Sequence, residues 1–148
     1  MMKLFSPMSL SGLKRKLHSS EETYTLGREI GSRLPQESLL SFFGELGAGK
    51  TTLIKGVVAG VTGSSVGVES PTFTYLNIYG EKKKVFHFDL YRLRSPADFI
   101  QMGFEEYLVH EGVTCIEWSE RIEQILPPHA MKIVLSYESE NCRLIEVL

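Results

Sequence analysis

Cysteine is scarce in this chain. Cys115 and Cys142 are the only two in 148 residues, too few and too separated for a disulfide framework or a metal cluster. Two free thiols fit a reducing compartment, so the cytoplasm is the expected location. Long apolar runs are missing as well. None approaches the roughly 20 residues that span a bilayer, and residues 1–11 carry one lysine with scattered apolar positions, a poor secretory leader. No membrane association is expected. Charge of one sign is absent too, with a net charge of −2 and a pI of about 6.1. A protein that grips bare nucleic acid usually has a basic face, so direct RNA or DNA binding is not indicated. The densest basic runs, Lys14-Arg15-Lys16 and Lys82-Lys83-Lys84, read as solvated charge. There is no internal repeat, low-complexity tract or break in composition. At 43% hydrophobic, the chain is expected to bury one ordinary core.

Against these absences one motif stands out. Gly44-Glu45-Leu46-Gly47-Ala48-Gly49-Lys50-Thr51 fills the pattern G-x-x-x-x-G-K-[ST]. Glycines let successive backbone N–H groups curl around phosphate oxygens with no Cβ in the way. Lys50 brings positive charge to the outer phosphates, and the Thr51 hydroxyl can ligate Mg²⁺. The flanks agree with this reading. Residues 38–43 (Ser-Leu-Leu-Ser-Phe-Phe) form an apolar run of strand type, and residues 52–58 have helical apolar spacing. That arrangement places an anion at a helix N-terminus. The motif predicts a nucleotide-binding chain.

The rest of the chain reads as alternating elements. Residues 1–19 are expected to form an N-terminal extension that closes with a strand around 13–17, with one domain over 20–148. Ser20 is the expected cap of a helix running to Leu34, with Glu21 and Glu22 at its positive end and Pro35 stopping it. Residues 73–79 and 85–91 alternate with the period of strands around a polar turn, predicting an antiparallel hairpin. In the second strand His87, Asp89 and Tyr91 share one face, and Phe86, Phe88 and Leu90 share the core face. Ser95 caps a helix with Pro96 at its first position. That helix is expected to break at Gly103 and resume to His110. Residues 113–116 form a short buried strand and 119–126 a short helix before Pro127-Pro128. Residues 132–137 and 143–147 make a second hairpin. The sum is a single three-layer α/β domain of the P-loop NTPase type with a mixed parallel and antiparallel sheet. Its nucleotide is expected at the carboxyl end of the first core strand.

Hydrolysis needs an acid near the metal, and such an acid normally ends an apolar strand. Glu117 after residues 113–116 and Asp89 after residues 85–88 both fit. His87-x-Asp89 is too small a set for a metal site, and a packed or hydrogen-bonded histidine is the expectation. Thr72, in Ser70-Pro71-Thr72, sits where a loop hydroxyl could reach the terminal phosphate, as switch threonines do. Arg92, Arg94 and Arg121 lie near these acids, either to neutralise developing charge or to pair structurally. Trp118 reads as packing or as a stacking partner for the base. No Asn-Lys-x-Asp element for guanine selection occurs. A small-metabolite kinase and a nucleotide-dependent interaction module are the alternatives to an ATPase.

Taken in order, residues 44–52, Ser70-Pro71-Thr72-Phe73, His87-Phe88-Asp89-Leu90-Tyr91-Arg92, Gly103-Phe104-Glu105-Glu106-Tyr107 and Ile116-Glu117-Trp118-Ser119-Glu120-Arg121 resemble the TsaE family. These are small bacterial ATPases of tRNA threonylcarbamoyladenosine modification. The resemblance covers about residues 20–137, with Glu45 where the family more often has Asp. It implies ATP, with ADP as product, and Mg²⁺. It matches Glu45, Leu46, Gly47, Ala48, Gly49, Lys50, Thr51 and Thr52 to the nucleotide-cradling loop, with Thr51 also at the metal. Thr72 matches the switch-like threonine, Asp89 and Glu117 the acids of hydrolysis, and Trp118 a tryptophan near the nucleotide. Glu117 is the expected second metal ligand, beside Thr51, while Lys50, Asp89 and Glu117 form the catalytic set. The implied partners are the threonylcarbamoyl synthase (TsaD-like) and its dimerising companion (TsaB-like), which act on adenosine 37 of tRNA. The tRNA would be met only through that assembly.

Overall fold

Residues 10–45, 48–109 and 111–148 are described by the computed structural model. The residues over 39–43 are almost entirely apolar and all but the last are buried, as befits a strand covered on both faces. This is β2 (Leu39–Phe43). It lies between β5 (Val113–Glu117) and β6 (Met131–Ser139), parallel to both. Next to β5 and parallel to it runs β4 (Val85–Asp89), and β3 (Leu76–Tyr79) closes that edge antiparallel. On the other side β7 (Cys142–Val147) pairs antiparallel with β6 and with β1 (Lys14–Leu17). The seven strands run β1-β7-β6-β2-β5-β4-β3. Both expected hairpins form, and the sheet is mixed as expected.

Two cores sandwich this sheet. Helices α1 (Ser20–Arg33) and α2 (Lys50–Thr62) cover one face, packing Leu26, Ile30, Leu53, Ile54 and Val57 on Leu40, Phe42, Cys115 and Ile133. The short α3 (Pro96–Gln101) and two 3₁₀ segments, Phe104–Val109 and Ser119–Ile125, cover the other. There Phe88 meets Phe99 and Phe104 at ring separations of 5.5 and 5.3 Å, distances at which aromatic pairs gain beyond their buried area. Among the described residues no helix is long and apolar enough to cross a membrane.

Several boundaries differ from expectation. The cap of α1 is Ser19, not Ser20. Its extended backbone lets Oγ accept from the Glu22 amide at 3.1 Å, while Glu22 Oε1 accepts from the His18 amide at 2.9 Å. Ser-x-x-Glu is the spacing of a capping box, here with Glu22 taking the His18 amide in place of the cap's own, and Ser20 has Thr23, not Glu, three residues on. The strand expected over 73–79 begins at Leu76. Tyr75 adopts φ +67° and its amide donates to Pro71 O at 2.8 Å, so residues 71–75 turn rather than extend. The face carrying His87 and Asp89 is buried as well as the phenylalanine face, and α2 packs against this strand. The helix resuming after Gly103 and the one over 119–126 are both 3₁₀ turns. His110, the expected end of the former, lies outside the described residues. Leu10 and Leu17 are buried in the main core, so the chain packs with the domain from Leu10 onward.

The α1–α2 contact has a cause in four glycines. Gly27 and Gly31 on α1 face Gly56 and Gly60 on α2. A Cβ on Gly27 would come 2.4 Å from Leu53 O, and one on Gly31 would come 2.3 Å from Val57 O. The reverse holds too, with Gly56 2.3 Å from Tyr24 O and Gly60 2.3 Å from Arg28 O. Backbone therefore meets backbone, a small-x-x-x-small crossing with room for Cα–H···O contacts. In an unpacked helix Gly→Ala stabilises by about 1 kcal/mol. At Gly31 the sign reverses: G31A is expected to cost about 1–3 kcal/mol by overpacking. Thermal unfolding followed by circular dichroism checks this, and a Tm equal to or above that of the parent would contradict the crossing.

Candidate functional site

Helix α2 starts at Lys50 from Gly49, whose φ of +101° suits glycine. No side chain caps this end. The first residues of the helix and its positive pole therefore border the adjoining cleft with no side-chain cap, an arrangement that suits an anion. Leu46 and Gly47 lie outside the described residues. Ala48 is buried, its amide donating to Glu45 O at 3.0 Å, while Glu45 itself is exposed. The cleft, of about 1120 Å³, is lined by Gly44, Glu45 and residues 48–52, then by Ser70, Thr72, Asp89, Tyr91, Glu117 and Trp118. Among the described residues, those matched to the nucleotide loop, the switch threonine, the metal and the two acids, with Trp118, thus line one cavity, whereas Arg92, Arg94 and Arg121 do not line it.

The two acids come together through the sheet. Asp89 ends β4 and Glu117 ends β5, and parallel pairing puts them directly opposite one another. Both are 5% exposed. Each carboxylate has its own donors. Asp89 Oδ2 accepts from Ser70 Oγ at 2.6 Å and Thr72 Oγ1 at 3.1 Å, and Oδ1 accepts from the Tyr91 amide at 3.0 Å. The Asp89 amide in turn donates to Tyr75 O at 3.0 Å. Asp89 therefore holds both ends of the 70–75 turn, including the hydroxyl expected to reach a phosphate. Glu117 Oε2 lies 2.9 Å from His87 Nε2. The histidine is hydrogen-bonded, as expected, and fully buried.

Trp118 follows Glu117 in the left-handed region, φ +61°, an uncommon conformation for a bulky residue. The turn swings its ring back over the cleft. Lys50 Nζ lies 5.1 Å from the ring centroid, Arg121 stacks at 5.7 Å, and Tyr91 meets it edge-on at 4.9 Å. The indole thus borders the lysine end of the cleft. Of the expected arginines, Arg94 pairs with Asp98 at 3.2 Å, Arg92 stacks on Phe73 at 5.3 Å, and Arg121 also donates to Tyr91 O at 3.2 Å. Cys115, two residue pairs behind the acids, is sealed in. Burial, and then the charge of Glu117, push its thiol far above the usual range, so it is no nucleophile.

Sequence reasoning missed another wall of the cleft, formed by residues 17–20 and Thr23 from the β1–α1 junction and by Glu140, Asn141 and Arg143 from the β6–β7 turn. These segments are over 100 residues apart and carry no local motif. Only pairing of β1 with β7, Leu17 opposite Arg143, joins them.

The TsaE family model, described as threonylcarbamoyl adenosine biosynthesis protein TsaE, matches residues 17–145. The chain belongs to the TsaE family. Similar proteins include the tRNA threonylcarbamoyladenosine biosynthesis protein TsaE of Haemophilus influenzae, 40% identical across 81% of this chain and 77% of its own. That of Treponema pallidum is 36% identical over 87% and 95%, and that of Rickettsia felis 35% over 89% and 77%. Among solved structures, Bacillus subtilis YdiB superposes with a TM-score of 0.74 at 29% identity, over 91% of this chain and 83% of its own. The TsaE match begins at Leu17 and so takes in the α1 cap, the loop, both acids and the β6–β7 turn.

In this TsaE-family chain, D89A removes the acceptor for two hydroxyls and an amide. Hydrogen bonds to a charged group are worth about 1.5–3 kcal/mol each, so the 70–75 turn is expected to lose protection. Amide exchange should accelerate there by at least tenfold while β2 stays protected. Unchanged exchange across 70–75 would show that Asp89 does not anchor the turn.

Proposed function

We propose that this chain is a Mg²⁺-dependent ATPase that serves tRNA threonylcarbamoyladenosine biosynthesis in the cytoplasm. It would bind and hydrolyse ATP while joined to the synthase (TsaD-like) and its dimerising companion (TsaB-like), meeting tRNA only through them. The observation that carries this reading is a single cleft. It holds an uncapped helix N-terminus, a lysine, and two carboxylates paired in register on adjacent parallel strands.

The residues fit both groups. Gly49 leaves the first-turn amides of α2 free of any capping side chain, which suits a phosphate chain. Thr51 and Glu117 offer a hydroxyl and a carboxylate, the hard oxygen donors Mg²⁺ prefers. Among the described residues no three His, Cys, Asp or Glu cluster as a self-sufficient metal cage. Mg²⁺ commonly takes only one or two protein ligands and completes its shell with phosphates and water. Bound there, it would neutralise charge on the β- and γ-phosphates.

In the proposed mechanism Lys50 and the loop amides hold the triphosphate and stabilise charge that builds on it. Trp118 packs over Lys50 at 5.1 Å, so it borders the terminal phosphates. The ribose and base then extend toward residues 17–20, Glu140, Asn141 and Arg143, which also line the cleft. Thr72 leaves Asp89 for the γ-phosphate as nucleotide arrives. Asp89 is thereby freed to accept a hydrogen bond from the attacking water, directly or by way of Glu117. A kinase would need arginines aimed at an acceptor, but Arg92 stacks on Phe73 and Arg94 pairs with Asp98. An interaction module without turnover would not need two buried acids at the phosphate end.

Two substitutions separate binding from chemistry. K50A is expected to weaken ATP affinity by at least tenfold in isothermal titration calorimetry, since a charge-assisted contact is worth about 1.5–3 kcal/mol. E117A should leave nucleotide affinity within a few fold. It should slow phosphate release by the partner-bound protein by about 10²-fold or more, the scale seen when a metal- or water-positioning group is lost. Normal turnover in E117A would remove Glu117 from the mechanism.

A further inference from the structure

His87 does not line the cleft, yet it is the residue that touches Glu117. It sits at the centre of β4 opposite Cys115, two positions before Asp89. On the same sheet face Glu117 lies two positions beyond Cys115, so His87 reaches diagonally across the strand pair to the carboxylate. A carboxylate only accepts hydrogen bonds. The proton of that contact therefore belongs to the histidine, and Nε2 donates to Oε2.

Two features set this contact apart from ordinary packing. The imidazole is fully buried, but its Nδ1 has no hydrogen-bond partner among the described residues. An orphaned buried nitrogen costs about 1–3 kcal/mol. An apolar side chain would avoid that cost at this position, which pairs with Cys115 on one side and Asn77 on the other, with the Tyr79 ring 6.4 Å away. Among the described residues, the side-chain hydrogen bond His87 makes is the one to Glu117. The second feature is the division of Glu117 itself. Oε2 is engaged by His87, while no described residue bonds Oε1, and the side chain lines the cleft. A glutamate has three side-chain torsions, and fixing one oxygen from behind orients the other forward.

We infer that His87 is a positioning residue: its Nε2–H holds Glu117 Oε2 so that Oε1 is presented to the divalent cation of the nucleotide complex. This rests on the ATPase reading above and deepens it. It assigns a role to a residue that neither meets the nucleotide nor lines its cavity. Groups that orient a ligating side chain in this way typically change metal affinity by about 10–100-fold when removed.

The test uses the full chain, a non-hydrolysable ATP analogue and Mn²⁺, whose free and bound forms are distinguished by electron paramagnetic resonance. The wild type sets the reference for analogue affinity without metal and Mn²⁺ affinity with it. In H87F the first is expected to be unchanged and the second reduced about 10–100-fold. Glutamine places its amide N–H₂ near the Nε2 position and asparagine does not, so H87Q should restore most of the Mn²⁺ affinity and H87N should not. In an E117Q background H87F should add no further loss. Should H87F fold poorly, the H87Q and H87N pair decides the matter alone. Wild-type Mn²⁺ affinity in a folded H87F, or equal affinities in H87Q and H87N, would overturn the positioning role while leaving the ATPase reading intact. If the wild type binds no analogue at all, that reading falls and this one with it.

Discussion

Two carboxylates forced side by side are the constraint on which this site depends. Parallel pairing sets Asp89 and Glu117 opposite each other on strands about 4.8 Å apart. Both are withdrawn from water, where like charges disfavour one another strongly. The protein answers with separate donor sets. Ser70, Thr72 and the Tyr91 amide serve Asp89, and His87 serves Glu117. Lys50 Nζ lies 5.1 Å from the centroid of the Trp118 ring. An arrangement this demanding is held only because the strands beneath it are fully buried and cannot shift register without exposing a core face.

The phosphate end has a second requirement, the placement of α2. An anion site made from a helix terminus works only if the helix is aimed, and α2 is aimed by backbone contact with α1 across four glycines. Because α1 starts at Ser19, on the rim of the cleft, the crossing ties that wall of the cavity to the loop. Any ligand that spans the cleft touches both helices. The 70–75 turn, by contrast, is held to the core through Asp89 and Tyr75 O, so ligand contact with Thr72 competes directly with a bond that anchors the turn.

Much of this was readable in the residues. Strand, glycine-rich loop and helix declare themselves locally, since Gly, Lys and Thr act at fixed offsets within one turn of chain. The acids were found by their apolar lead-in, which is a property of buried strands. The hairpins followed from period-two alternation. Boundaries went wrong where a side-chain bond outweighed pattern: Ser19 caps because Glu22 answers it, and Tyr75 turns because Asp89 and Pro71 take its backbone groups. The glycine crossing had a visible spacing, Gly27-x-x-x-Gly31 and Gly56-x-x-x-Gly60. It could be recognised only with a partner helix, because each half alone reads as a weakness in a helix.

By itself, then, the amino-acid order determined the α/β class, the phosphate loop, the two candidate acids and the family. These rest on contacts between residues near in the chain, or on alternation that burial imposes. Tertiary structure alone decided which residues from the β1–α1 and β6–β7 segments line the cleft, that the two acids stand opposite one another, and what each is bonded to. Leu17 meets Arg143, and His87 meets Glu117, across sheet pairings whose register no local pattern specifies. Strand order is settled by how seven strands and their helices share two cores, and that is a property of the whole chain.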